Sequence, residues 1–188
     1  MAVQMNKIGK LFVISGSSGV GKGTLLKLFL NKHPEYKLSV SCTTRKPREG
    51  EIHGENYFFL SKEEFEKLIK KDEFLEWAEF SGNMYGTQKA YVERKLSEGK
   101  NLILELDTTG ALNVKAKKSE ACLIFILPPS FEELESRLRG RHTETEEAIQ
   151  KRLNSVKIEI ERSSQFDYKV VNDSLERALQ ELESIMCK

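Results

Sequence analysis

An α/β fold with a parallel sheet is predicted by three observations. Short apolar runs alternate with helical patterns along most of the 188 residues, as in chains that build a parallel sheet from βαβ units. The helix starts are punctuated, with Ser61 and Glu64, Ser130 and Glu133, and Thr143 and Glu146 all fitting the capping box. Residues 38–86 break the rhythm and read as a small, partly antiparallel excursion inserted into the parallel domain.

The elements follow in order. KLFVIS, residues 10–15, reads as a buried strand, and Lys22 to Asn31 as a helix with Leu25, Leu28 and Phe29 on one face. Within the excursion LSVSCTT, NYFFL and FLEWAEF are strand-like, joined by turns and one short helix whose start Leu60 and Phe65 can staple. NLILELD (101–107) and ACLIFIL (121–127) are further buried strands, and YKVV (168–171) is a fourth. Helices are expected at 109–117, 130–138 and 174–186. Residues 144–164 read as one long helix with Ile149, Leu153, Val156 and Ile160 as its apolar stripe. No internal repeat, low-complexity tract or linker interrupts the chain.

Composition excludes several function classes. Thirty basic and 29 acidic residues leave a formal charge of +1, whereas nucleic-acid and membrane-surface binders carry a strong basic excess. The apolar runs are too short to span a bilayer. MAVQMNKIGK shows no signal core or acylation motif, so a cytoplasmic location is expected. Cys42, Cys122 and Cys187, and likewise His33, His53 and His142, are scattered and form no metal-ligand spacing. Such sparse thiols suit a reducing compartment.

The stretch SGSSGVGKGT, residues 15–24, lies between the first strand and the first helix. That context makes it a phosphate loop: glycines let the backbone wrap an anion, and the helix N-terminus favours negative charge. Gly16, Gly19, Gly21 and Gly23 do not spell the dinucleotide-binding G-x-G-x-x-G. Gly16, Gly21 and Lys22 fit the usual pattern, but Gly23 stands where Ser or Thr is usual and the hydroxyl comes one step late, at Thr24. This dialect resembles the loop of adenylate-type nucleoside monophosphate kinases. A nucleotide here would meet Ser17, Ser18, Gly19, Val20, Gly21, Lys22, Gly23 and Thr24. Mg²⁺ would then be held by the nucleotide phosphates and waters, with Thr24 or Asp107 contacting it through water.

A second anion site is written in SVSCTTRKPREGEIHGENYFF, residues 39–59. Arg45 and Arg48 flank Lys46 and the stiff Pro47, and forked guanidinium groups suit bidentate phosphate contacts. Tyr57 and Tyr85 add hydroxyl donors. A solvated basic turn is the competing reading of these residues.

This stretch, with EFLEWAEFSGNMYGT (73–87) and RLRGRHTETEEAIQKRL (137–153), resembles guanylate kinase, and the resemblance runs from Lys10 to about Ile185. It implies a phosphate-loop core over 8–37, 88–130 and 158–188, a GMP-binding subdomain over about 38–87 with mixed strands, and a helical lid over about 131–157. It implies an enzyme that transfers the γ-phosphoryl of ATP to GMP, and to dGMP, with Mg²⁺. Carried over residue by residue, Arg45, Arg48, Tyr57 and Tyr85 would hold the GMP phosphate. Ser41, Glu76, Gly86, Thr87 and Asp107 would surround guanine. Lys22, Arg45, Arg137, Arg141 and Arg152 would stabilise the transferring phosphoryl, Arg137 and Arg141 also holding ATP, with Asn172 near its adenine. No nucleic acid or membrane partner is expected, and a monomer is.

Chemistry supports this assignment. Guanine offers N1–H and an exocyclic amine, and the Glu76 carboxylate can accept both; adenine lacks the pair. Departures from the family pattern are Gly23, where many members carry Ser, and Thr108 and Thr109, where a bulkier residue and Gln are usual. Two other classes compete. Guanylate-kinase-like modules in scaffolds tend to lose the phosphate loop, which this chain keeps. A kinase for AMP would suit the K-G-T dialect but not the guanine-side residues.

Overall fold

The computed structural model describes residues 8–17, 19–139 and 146–188, the side chains of Arg137, Leu138 and Arg152 excepted. In chain order the elements are β1 (Leu11–Gly16), α1 (Lys22–Lys32), β2 (Tyr36–Leu38), β3 (Cys42–Thr43), β4 (Phe58–Phe59), α2 (Lys62–Lys70), β5 (Phe74–Phe80) and β6 (Asn83–Gln88). There follow α3 (Lys89–Ser97), β7 (Asn101–Glu105), α4 (Thr108–Lys117), β8 (Cys122–Leu127), α5 (Phe131–Arg139), α6 (Glu146–Arg162), β9 (Tyr168–Val171) and α7 (Leu175–Met186).

A five-stranded sheet takes the order β2-β7-β1-β8-β9, with the β2/β7, β1/β8 and β8/β9 pairs parallel. Every residue of β1 is buried, which is why its sequence is a continuous apolar run instead of an alternation. A second sheet takes the order β4-β3-β6-β5. Its β3/β4 pair is parallel and its β3/β6 and β5/β6 pairs are antiparallel. The fold is therefore α/β, with a parallel sheet and a separate mixed one.

Chain contacts fall into two units. The first comprises residues 1–11, 35–104 and 112–121. In it the mixed sheet turns one face onto α2: Cys42, Phe65, Phe74 and Met84 form a buried cluster, with Phe65 and Phe74 stacked at 4.4 Å. Ser61 and Glu64 close the expected capping box on α2, each side chain accepting the other residue's N–H at 3.1 and 2.7 Å. The second unit comprises residues 12–34, 105–111 and 122–188. There Leu134 of α5 packs with Ile149, Leu153 and Val156 of α6, and Ile160 joins them, so the expected stripe is the buried face.

Several expectations need correction. Leu28 is 40% exposed and Leu26 is buried in its place beside Leu25 and Phe29. At 100° per residue, Leu25, Leu26 and Phe29 span one arc, and Leu28 falls off its edge. The run LSVSCTT is divided: Leu38 ends β2 in the parallel sheet, while Cys42 and Thr43 form β3 in the mixed one. NYFFL keeps only Phe58 and Phe59 as strand, and the second buried strand ends at Glu105, short of Asp107. Helix α3, whose mean hydropathy is low and whose N-terminus lacks a side-chain cap, escaped the sequence pattern. Thr143, the third expected cap, lies outside the described residues.

Candidate active site

The phosphate loop sits between β1 and α1, where the sequence places it. Gly21 caps α1 in the left-handed region, at φ +92°, and no side chain caps the first turn. The first turn carries no acidic residue either, so its N–H groups are left to an anion. The Lys22 ammonium folds back onto the loop, donating to the Gly16 carbonyl and, at 3.5 Å, to that of Ser17. Burial holds its pKa below the ordinary lysine value, against the opposing pull of Glu105, Glu159 and Asp107. Gly23 and Thr24 are exposed, and a side chain at 23 would meet nothing within 4 Å. Ser17 is fully buried, and its Oγ has no partner among the described residues.

Asp107 lies two residues beyond β7 and accepts the Gly110 N–H at 2.7 Å, fastening the start of α4. Thr109, one of the departures, accepts from the Arg162 guanidinium at 3.0 Å. Asn172 is 5% exposed, and its amide Nδ2 donates to the Val20 carbonyl at 2.7 Å. The side chain is thus engaged beneath the phosphate loop.

The mixed sheet carries the other expected residues on the face opposite the α2 cluster. Glu76 on β5 pairs directly with Thr87 on β6. Cys42 pairs with Gly86, so the same antiparallel register carries Ser41 opposite Thr87. Ser41, Thr87 and Glu76 therefore form one row across the sheet. Glu76 is 7% and Thr87 1% exposed, and the Thr87 hydroxyl donates to Glu76 Oε1 at 2.7 Å. A buried carboxylate needs such donors. Gly86 is what lets the strands close here: a Cβ would lie 3.0 Å from both Phe74 Cδ1 and Trp77 Cβ.

Tyr85 stands two residues along β6 on the same face. The Arg45 guanidinium stands near its hydroxyl, with Cζ 5.4 Å over the Tyr57 ring, and the two tyrosines meet edge-on at 6.2 Å. Arg45, Tyr57 and Tyr85 are thus brought together. Arg48 is exposed at its side chain and anchored by its backbone. Ser18 and Arg141 lie outside the described residues, as do the side chains of Arg137 and Arg152.

Sequence reasoning missed the residue that organises this corner. Glu51 takes both outer nitrogens of Arg45, at 3.0 and 2.8 Å, and the Arg48 N–H at 2.7 Å. The Arg45 bonds, then the Arg48 N–H, hold its carboxyl at about 2. The signal was present: Glu51 closes the R-K-P-R-E-G-E run, where acids follow clustered arginines. Glu105 and Glu159 carry no such signal, because only folding gathers them near Lys22. Arg139, bonded to Glu135 and Glu146, was also unmarked in the sequence.

A parallel sheet whose first strand runs into an uncapped, lysine-bearing glycine loop defines a phosphate-loop nucleotide-binding protein. The guanylate kinase family model matches residues 8–188, and the chain belongs to that family, whose reaction is the ATP-dependent phosphorylation of GMP. It is 52% identical to the guanylate kinase of a Nostoc species over 93% of this chain and 88% of that one. Against the guanylate kinase of Prochlorococcus marinus strain SARG the identity is 52%, over 97% and 99% of the two chains. Among solved structures, the crystal structure of guanylate kinase from Anaplasma phagocytophilum superposes with a TM-score of 0.73 at 31% identity, covering 97% of this chain and 86% of that one.

Proposed function

We propose that the chain transfers the γ-phosphoryl of ATP to GMP and to dGMP, with Glu76 as the residue that selects guanine. The Ser41–Thr87–Glu76 row carries this reading. Thr87 donates to Glu76 Oε1, and the two oxygens of a carboxylate are acceptors only. In the bound state the carboxylate accepts the guanine N1–H and N2–H together. Adenine brings no such donor pair and leaves a buried carboxylate unmatched, so AMP is a poor acceptor.

Arg45, Arg48, Tyr57 and Tyr85 hold the GMP phosphate, with Glu51 fixing the orientation of Arg45. Bidentate contact to Glu51 occupies one side of the guanidinium, and its planar fork leaves further N–H donors for an anion. The attacking group is a GMP phosphate oxygen, whose second pKa is near 6. It needs no general base at neutral pH. Lys22, Arg137, Arg141 and Arg152 stabilise charge spread over the equatorial oxygens. For Lys22 this means exchanging the Gly16 and Ser17 carbonyls for phosphate oxygens.

Mg²⁺ fits this site as a hydrated ion carried in with ATP. Among the described residues no three His, Cys, Asp or Glu side chains assemble a metal cage. Carboxylate charge is nonetheless gathered: Glu105, Asp107 and Glu159 act on Lys22, and Glu159 Oε2 is buried with no partner among the described residues. Thr24 and Asp107 would hold the ion through water. Bound there, the ion neutralises phosphate charge.

A coupled ADP-release assay with ATP and GMP, dGMP, AMP, CMP and UMP tests the reading. GMP should lead, with AMP lower by roughly a thousandfold or more in kcat/KM. Lys22→Ala should abolish turnover while leaving the fold intact. Near-normal activity in that variant, or equal use of AMP, would refute the proposal.

A further inference from the structure

We infer that Asn172 is a positioning residue for the phosphate loop: its amide fixes the Val20–Gly21 peptide and so aims the Gly21 N–H at the phosphates of ATP. The inference rests on the reading of residues 16–24 as the ATP phosphate site.

Four observations carry it. Asn172 is itself immobilised, since it follows β9 directly and its backbone N–H donates to the Leu127 carbonyl at 2.9 Å. From that base its Nδ2 reaches the Val20 carbonyl at 2.7 Å, within a buried environment where Val20 is fully covered and Asn172 is 5% exposed. The chain contains no cis peptide among its described residues. The C=O and N–H of one trans peptide point in opposite directions. With the Val20 carbonyl turned to Asn172, the Gly21 N–H therefore points away from it. Finally, a Cβ at Gly21 would stand 2.7 Å from Asn172 Nδ2. The amide is packed so closely on the loop that only glycine fits between them.

The chemistry follows from what a phosphate loop requires. Anion binding by backbone N–H groups depends on which edge of each peptide faces the ligand. A peptide free to rotate would turn its carbonyl towards the phosphate part of the time and repel it. A donor on the far side of Val20 prevents this. Asparagine suits the position because its NH₂ donates, whereas an aspartate of the same shape would present oxygen to oxygen. The family resemblance puts this residue near adenine instead. The two roles separate cleanly, because inorganic tripolyphosphate has phosphates and no base.

The test uses the full chain with Asn172→Ala and Asn172→Asp, titrated calorimetrically with ATP, with inorganic tripolyphosphate and with GMP. The expected result is a loss of about tenfold in affinity for ATP and for tripolyphosphate alike, larger in Asn172→Asp, with GMP affinity within about twofold. A loss for ATP but none for tripolyphosphate would mark an adenine contact and overturn the clamp. So would equal losses for all three ligands, which mark general softening. Amide hydrogen exchange of the ligand-free chain supplies a readout independent of any nucleotide. Exchange at the Val20 and Leu25 amides, which donate to the Ser17 and Gly21 carbonyls, should accelerate in both variants while that of β5 and β6 stays unchanged; unaltered exchange at both amides overturns the inference. Turnover of GMP by the unsubstituted chain tests the functional reading separately.

Discussion

Gly21 and Gly23 stand two residues apart in one loop and tolerate side chains very differently. At Gly21 a φ of +92° and the Asn172 amide both oppose a Cβ. Gly21→Ala should destabilise the chain by about 1–2 kcal/mol and weaken ATP binding, measurable by thermal melting and titration. At Gly23 nothing lies within 4 Å of a built Cβ. Gly23→Ser should therefore fold normally and melt no lower than the parent, since serine is the better helix former by a few tenths of a kcal/mol. A melting temperature several degrees lower would contradict the open space described. Glu51 gives a pH signature. Its carboxyl is held at about 2 against an ordinary 4.5, so its contribution is fully present above the unfolded value and is lost as pH falls from 4.5 towards 2. Urea midpoints of the parent should fall more steeply over that window than those of Glu51→Gln. Identical slopes would mean that the Arg45 pair contributes nothing in solution. Arg45 and Arg48 were legible from their spacing; the run offers Glu49 and Glu51 alike as partners, and only the folded turn decides that Glu51 is the one that meets Arg45.

Elements were read best where one pattern dominates. β8 is a uniform apolar run, and α6 keeps its stripe at a steady helical spacing; β9, expected to be buried, is exposed except at Val170, as suits its place at the edge of the sheet. Short strands fared worse. Two-residue β3 and β4 exist because the mixed sheet offers partners on both sides of β3, a fact no local window contains. The same holds for β2, which pairs with a strand far along the chain, Tyr36 against Asn101. The packing of α2 on the mixed sheet makes a sharp test. Phe65 is fully buried and stacked on Phe74, so Phe65→Ala should cost about 3–5 kcal/mol. Because Cys42 and Met84 share that cluster, the loss should reach the opposite face and weaken GMP more than ATP. Equal weakening of the two nucleotides would show that the cluster supports the fold without shaping the guanine row.

At the scale of the molecule, nucleotides should act as separable stabilisers. A ligand that binds only the folded state at 100 times its Kd adds about 2.7 kcal/mol, or roughly 5–10 °C for a chain of this size. GMP should raise the melting temperature by that amount in the parent. In Glu76→Gln, where the amide presents an NH₂ to guanine's donors, the GMP shift should vanish while the ATP shift survives. Loss of both shifts would mean that Glu76 holds the fold and does not read the base.

The sequence by itself determined the α/β class, the phosphate loop and the family, because each rests on contiguous residues: a buried strand, a glycine loop, a punctuated helix, and S-C-T-T-R-K-P-R-E-G-E read without interruption. It also named Glu76 and Thr87, yet not that they are partners. Tertiary structure decided what depends on register and burial. The β5/β6 pairing places a threonine hydroxyl on a buried carboxylate, the 45–51 turn brings Glu51 onto Arg45, and the charges of Glu105, Glu159 and Asp107 act on Lys22. It also set the Asn172 amide under Val20, across 152 positions of sequence. Local patterns record which face a residue turns, and only the packed chain records which residue it meets there.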